Sequence, residues 1–175
     1  MNPLRGPVEP LAVAYLLERT QWLPRPLAEV FAFFSDPANL NEITPPALSF
    51  HIITPRPIDM RPGALIDYRL RLRGIPMRWR TRITAFDPPR SFVDEQLKGP
   101  YGRWLHTHTF APETIDGVEG TRITDRVEYD LPRWCPGPIN RLVHRLLVAP
   151  DLDRIFGYRQ RVLATRFPAP TPAHA

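Results

Sequence analysis

ALIDYRLRLR (64–73), GIP (74–76) and MRWRTRITAF (77–86) decide the reading of this chain. The first ten residues alternate: Ile66, Tyr68, Leu70 and Leu72 fall on one side, Asp67, Arg69, Arg71 and Arg73 on the other. Successive side chains of a strand point to opposite faces, so this pattern predicts a half-buried β-strand. After Gly74-Ile75-Pro76 turns the chain, Trp79, Thr81, Ile83 and Ala85 alternate with Arg78, Arg80 and Arg82. Two such runs joined by a short glycine-containing turn predict a hairpin with one apolar and one arginine-lined face.

Working outward, Asp87-Pro88-Pro89 ends the second run. Ser91–Lys98, Arg103–Ala111 and Thr121–Leu131 then read as three further strands, separated by Gly99-Pro100-Tyr101-Gly102 and by a loop containing Gly117 and Gly120. Short connections between consecutive strands predict an antiparallel meander. On the N-terminal side, Leu48–Ile53 reads as a strand ended by Pro55. Before it the period changes: Leu27, Val30, Phe31 and Phe34 sit at the i, i+3, i+4, i+7 spacing of a helix, with Pro26 suited to its first position. Asp36-Pro37 predicts the cap and first residue of a second short helix that Pro45-Pro46 ends. Ala14–Leu23 forms the opening strand.

Beyond Pro136-Gly137-Pro138, the residues Ile139, Leu142, Val143, Leu146, Leu147, Leu152, Ile155, Phe156, Val162 and Leu163 trace one long amphipathic helix, which Pro150 should kink or divide. Helices segregated to one face of an antiparallel sheet define an α+β fold. One helix cannot fill the concave side of a strongly curved sheet of six to seven strands, so an internal cavity is expected. The expected organisation is an arm over residues 1–13, one ligand-binding domain over 14–166 and a frayed proline-rich tail over 167–175.

Composition bounds the function. With 175 residues, 43% hydrophobic and 23% charged, the chain is an ordinary globular one able to bury about two-thirds of its unfolded surface. Proline, at 23 residues, marks segment edges rather than low complexity. A net charge of +5, with Lys98 the only lysine among 23 basic residues, favours solubility without making a nucleic-acid binder. Cys135 is the only cysteine, so neither an intrachain disulfide nor a thiolate cluster can form. No apolar run approaches the roughly 18 residues of a membrane span, and nothing frames Pro10–Leu17 as a signal peptide, so a cytoplasmic location is expected.

The order of elements, together with local motifs, resembles the START and birch-pollen-allergen superfamily (SRPBCC), and within it bacterial polyketide cyclase/dehydrase-like members. The matching stretches are Phe31–Asp36 with Asn39-Leu40 and Ile43–Pro46, Trp79–Pro89, Phe92–Gln96 with Gly99–Tyr101, Trp104–Phe110, Gly120-Thr121 with Asp125, Tyr129 and Pro132, and Ile155–Arg159. The resemblance implies the helix-grip fold, a curved sheet around a long C-terminal helix. It implies a hydrophobic cargo of lipid, quinone or polyketide type. The superfamily shares no universal catalytic residue that could be carried over.

Within the cup, Trp104, His106, His108 and Phe110 share one face of their strand, and Ile123, Asp125, Val127, Tyr129 and Leu131 share the apolar face of the next. If Phe110 lies beside Ile123, antiparallel pairing sets His108 opposite Asp125 and His106 opposite Val127. His108 and Asp125 then read either as a general acid/base dyad of a cyclase or dehydratase, or as a structural pair fixing register. His106 and His108 lack an obvious third ligand, so neither a metal nor a cofactor is expected. Arg159 either holds a ligand's anionic end, partnered by Glu95 or Asp125, or packs its stem and sends its head to water. Phe31, Phe34, Tyr68, Trp79, Trp104, Phe110, Tyr129 and Phe156 are candidates for the cavity lining. The arginine face (Arg69, Arg71, Arg73, Arg78, Arg80, Arg82) could dock an anionic membrane surface or a protein partner, with Asp67, Glu128 and Asp130 neutralising part of it. Three functions compete: non-catalytic carriage of a small hydrophobic molecule, cyclase/dehydratase chemistry, and an interaction module.

Overall fold

The computed structural model describes residues 15–132, 135 and 137–169. The arm, Ala14, Pro136 and the last six residues of the tail lie outside the described residues. Seven strands form one antiparallel sheet in the order β1-β7-β6-β5-β4-β3-β2. They are β1 (Tyr15–Leu23), β2 (His51–Ile52), β3 (Leu65–Leu72), β4 (Ile75–Asp87), β5 (Ser91–Lys98), β6 (Arg103–Ile115) and β7 (Val118–Asp130). The sheet is curved and partners one long C-terminal helix, which is the helix-grip arrangement.

The deciding hairpin pairs as its alternation requires. Tyr68 faces Trp79 and Ile66 faces Thr81 on the inner side, while Asp67 faces Arg80 and Arg69 faces Arg78 outside. The turn is tighter than expected. Arg73 and Gly74 both take positive φ (52° and 81°), the two-residue geometry that suits strand twist, so Ile75 and Pro76 already belong to β4. Asp116 and Gly117 repeat the device between β6 and β7 (51° and 76°). Gly120 is therefore inside β7 rather than in a loop. A Cβ there would stand 2.5 Å from the Leu23 carbonyl oxygen.

Other expectations need correcting. Ala85 is exposed, because a bulge between Ile83 and Ala85 shifts the register and turns Phe86 inward against Phe31. The strand expected over Leu48–Ile53 shrinks to two residues: Pro46–Leu48 coil into a 3-10 turn, and Ser49 takes φ 45°, which breaks extended backbone. Phe167 is no frayed tail residue. It is buried edge-on against Phe33.

Helix α1 (Leu27–Ser35) buries Val30, Phe31, Phe33 and Phe34. Asp36 caps the following 3-10 turn (Pro37–Asn41) by accepting from the Ala38 amide at 2.9 Å. The C-terminal helix runs as α2 (Gly137–Val143), a π-helical segment (His144–Val148) and α3 (Ala149–Arg166). Pro150 widens the helix instead of breaking it. The Ala149 amide bonds to the His144 carbonyl, five residues back, just before the ring that cannot donate. Only the second half of the apolar stripe meets the sheet: Leu152, Phe156 and Leu163 are buried, whereas Ile139, Leu142, Leu146 and Leu147 are 40–60% exposed. No helix among the described residues is long and apolar enough to cross a membrane.

Candidate functional site

The concave side holds a cavity of about 170 Å³. The β3–β4 hairpin supplies Ile66, Tyr68, Trp79 and Thr81, β5 and β6 supply Asp94, Trp104, His106 and His108, and α3 supplies Leu152, Phe156 and Arg159. Phe34 of α1 and Ile43 and Phe50 of the following loops complete much of the wall. On the hairpin side, Trp79 Nε1 donates to Thr81 Oγ1 at 3.1 Å, and the Tyr68 hydroxyl lies 3.2 Å from the same oxygen.

The β6–β7 register sets Phe110 opposite Ile123, His108 opposite Asp125 and His106 opposite Val127. The side-chain partners are richer than that pairing suggests. Asp125 Oδ1 accepts a hydrogen bond from His106 Nε2 at 2.9 Å, diagonally across the strands. His108 Nδ1 also lies 2.9 Å from that oxygen, but out of line for a hydrogen bond. The bond His108 does make goes to Asp94 Oδ2, 3.1 Å from Nε2. His106 Nδ1 stands 3.6 Å from the same Asp94 oxygen. Two imidazoles are thus held between two carboxylates.

Arg159 completes the group. Its head does not reach water: Nη1 donates to Asp125 Oδ1 at 3.3 Å, and the guanidinium lies over the Phe156 ring. Glu95, the other expected partner, faces outward and pairs with Arg82 at 2.6 Å. Burial opposes the charge of Asp125, but Arg159 and the two imidazoles outweigh it and hold the carboxyl well below its usual range. Burial, reinforced by the neighbouring His108, keeps His106 below the usual imidazole range. Burial also works against a charged His108, yet its flanking carboxylates win and raise it.

Of the residues singled out in the sequence, Phe34, Tyr68, Trp79, Trp104, His106, His108, Phe156 and Arg159 line the cavity. Asp125 stands behind the histidines. Phe31 and Phe110 are packed into the solid core beneath α1, with ring centroids 5.3 Å apart. Tyr129 turns toward the C-terminal helix, where its hydroxyl meets His144 Nε2 at 2.8 Å. Asp94 was missed. Its strand parity with Phe92 gave only a face; the register places Phe92 and Asp94 opposite His108 and His106 respectively. On the outer face, Arg80 pairs with Asp67 and Arg82 with Glu95, while Arg73 reaches Asp151 on α3. Glu128 does not neutralise the hairpin; it sits near Arg103 and Arg126.

A family model described as polyketide cyclase / dehydrase and lipid transport matches residues 23–150. The chain belongs to that family. Among solved structures, protein Ms6760 of Mycobacterium smegmatis is 22% identical with a TM-score of 0.59, over 86% of this chain and 92% of that one. The Bet v 1-like protein Ara h 8.0201 is 19% identical with a TM-score of 0.55, over 86% and 98%. A Thalictrum norcoclaurine synthase point mutant, in complex with a transition-state analogue, is 13% identical with a TM-score of 0.58, over 87% and 95%. At these identities the likeness is one of fold alone. No curated protein sequence matches the chain significantly.

Proposed function

We propose that this protein binds a small hydrophobic, ring-bearing molecule inside the cup, with the ligand's polar end against His106, His108, Asp94 and Arg159. The observation that carries the reading is a hollow of about 170 Å³ walled mostly by aromatic and aliphatic side chains, with Asp94, His106, His108 and Arg159 also in its lining. Pockets of this make-up bind apolar ligands by burial and orient them through a few polar atoms. The family's description, which includes lipid transport and polyketide cyclase/dehydrase proteins, supports a hydrophobic cargo.

Size narrows the class. An apolar cavity of about 150 Å³ accommodates one benzene ring, so this one holds a single substituted ring as it stands. A fused polyketide or a quinone with its tail requires the loops around Phe50 and Met60 to yield. Native mass spectrometry of freshly purified protein, followed by displacement of an environment-sensitive dye with phenolic and fused-ring compounds, tests this. The expected result is displacement by single-ring phenols that Ile66→Trp, which fills the hollow, weakens at least about tenfold. Protein that is always empty, with dye binding unaffected by Ile66→Trp, would sink the reading.

A further inference from the structure

Asp94, His106 and His108 converge on one part of the cavity wall. Asp94 Oδ2 lies 3.1 Å from His108 Nε2 and 3.6 Å from His106 Nδ1, and one donor atom from each of the three falls within 4.8 Å of the others. Two ligands bound to one ion at about 2.1 Å stand roughly 3.0–3.4 Å apart, so small rotations of the rings bring this set to coordination distance. We propose that Asp94, His106 and His108 bind one divalent first-row transition-metal ion, of the zinc or iron(II) class, at the polar wall of the cavity.

The surroundings are those a metal-bound imidazole needs. A coordinated neutral histidine carries its remaining proton on the other ring nitrogen and requires an acceptor for it. Both remaining nitrogens, His106 Nε2 and His108 Nδ1, lie 2.9 Å from Asp125 Oδ1, so a single carboxylate serves both rings. Asp125 is itself fixed by Arg159. His108 Nδ1 has no hydrogen-bonding partner in the present arrangement. The ring rotation that carries Nε2 toward a metal is free to realign it. Charge is compatible with this: two carboxylates, Asp94 and Asp125, flank the imidazoles in an apolar cup, and Arg159 pairs with Asp125.

Two nitrogens and one oxygen suit borderline cations better than magnesium or calcium, which prefer all-oxygen shells. Three protein ligands leave at least one coordination position, and His106, His108 and Asp94 all face the cavity. A dication with one anionic protein ligand attracts an anionic oxygen, so a phenolate, enolate or carboxylate on the cavity's occupant would be the natural fourth ligand. The site goes beyond the binding role proposed above and stands whether or not the cavity takes a hydrophobic molecule.

The test uses untagged full-length protein carrying Cys135→Ser, stripped with a chelator and titrated with Co²⁺ alone. Visible absorption and calorimetry are the readouts, followed by Zn²⁺ competition. One equivalent per chain is expected at micromolar or tighter affinity, with ligand-field bands of a low-coordinate nitrogen and oxygen site. Asp94→Asn should weaken binding at least 100-fold, Asp125→Asn by about 10–100-fold, and exposed His51→Ala not at all. Circular dichroism confirms that each variant is folded. The absence of stoichiometric Co²⁺ and Zn²⁺ binding by the wild-type cup overturns the proposal. So does binding that survives Asp94→Asn and His108→Gln undiminished in folded protein.

Discussion

The two ends of the cup are built from the same kinds of residue and end up differently. Beneath α1, Phe31 and Phe110 meet edge to face at 5.3 Å, and Leu23, Val30, Ile123 and Leu163 are sealed from solvent. At the other end Trp79 and Trp104 also meet edge to face, at 5.5 Å, yet with Tyr68 and Phe156 they surround a hollow. Aromatic content does not separate the two. What separates them is cover: the first end has α1 and α3 against the sheet, the second has α3 and the irregular stretch after α1. A cavity persists where fewer elements supply side chains than the curved sheet can accept.

The sharpest way to break that comparison is truncation at each end. Phe110→Ala, in the sealed end, should cost about 3–5 kcal/mol of stability. Trp79→Phe enlarges a space that already exists and loses mainly the hydrogen bond to Thr81, so it should cost only about 1 kcal/mol. Urea midpoints measure both, and equal losses would mean that the two ends are packed alike. A second probe addresses the charged residues between the ends. Arg159→Met alone leaves Asp125 buried without its guanidinium and should cost about 3–5 kcal/mol. Adding Asp125→Asn should restore a large part of that. A double variant as unstable as the sum of the two singles would show that the groups do not depend on each other.

Legibility in the sequence followed periodicity. Strand alternation located β3 to β7 and the faces of β6 and β7, and the register between those two followed from setting Phe110 beside Ile123. It failed where backbone departs from the repeat. The bulge at Ile83/Ala85 and the left-handed Ser49 carry no side-chain signature strong enough to override the pattern around them. The histidines and Asp125 were legible as a pair of facing strands. Asp94 was not, since pairing β6 with β7 says nothing of what β5 contributes on the far side. Phe31, Phe110 and Tyr129 were assigned to the lining because parity gives a face, not a position along it.

The C-terminal helix offers a finer contrast, between a stripe read from sequence and the part of it that is used. Leu142 is 57% exposed and Leu152 2%, though both sit on the apolar face. Leu142→Ser should change stability by no more than about 0.5 kcal/mol, against about 2–5 kcal/mol for Leu152→Ala. Denaturation of the two variants checks it. A large loss at Leu142 would mean that α2 is covered in solution.

The smallest expected effect separates the two kinds of histidine. His144 is half-buried, stacks on Tyr15 and has its Nε2 2.8 Å from the Tyr129 hydroxyl, which donates to it when the ring is neutral at that nitrogen. Burial lowers its pKa below the ordinary imidazole value of about 6.5. The unfolded chain therefore takes up this proton first as pH falls. His144 then costs stability progressively from about pH 6.5 down to its folded pKa, and no further below it. The slope should be shallow, because solvent screens a partly exposed ring. Subtracting the pH dependence of His144→Gln from that of the wild type isolates it. A difference that instead gained stability toward acid would mean that the ring is held as the cation, with Tyr129 accepting rather than donating.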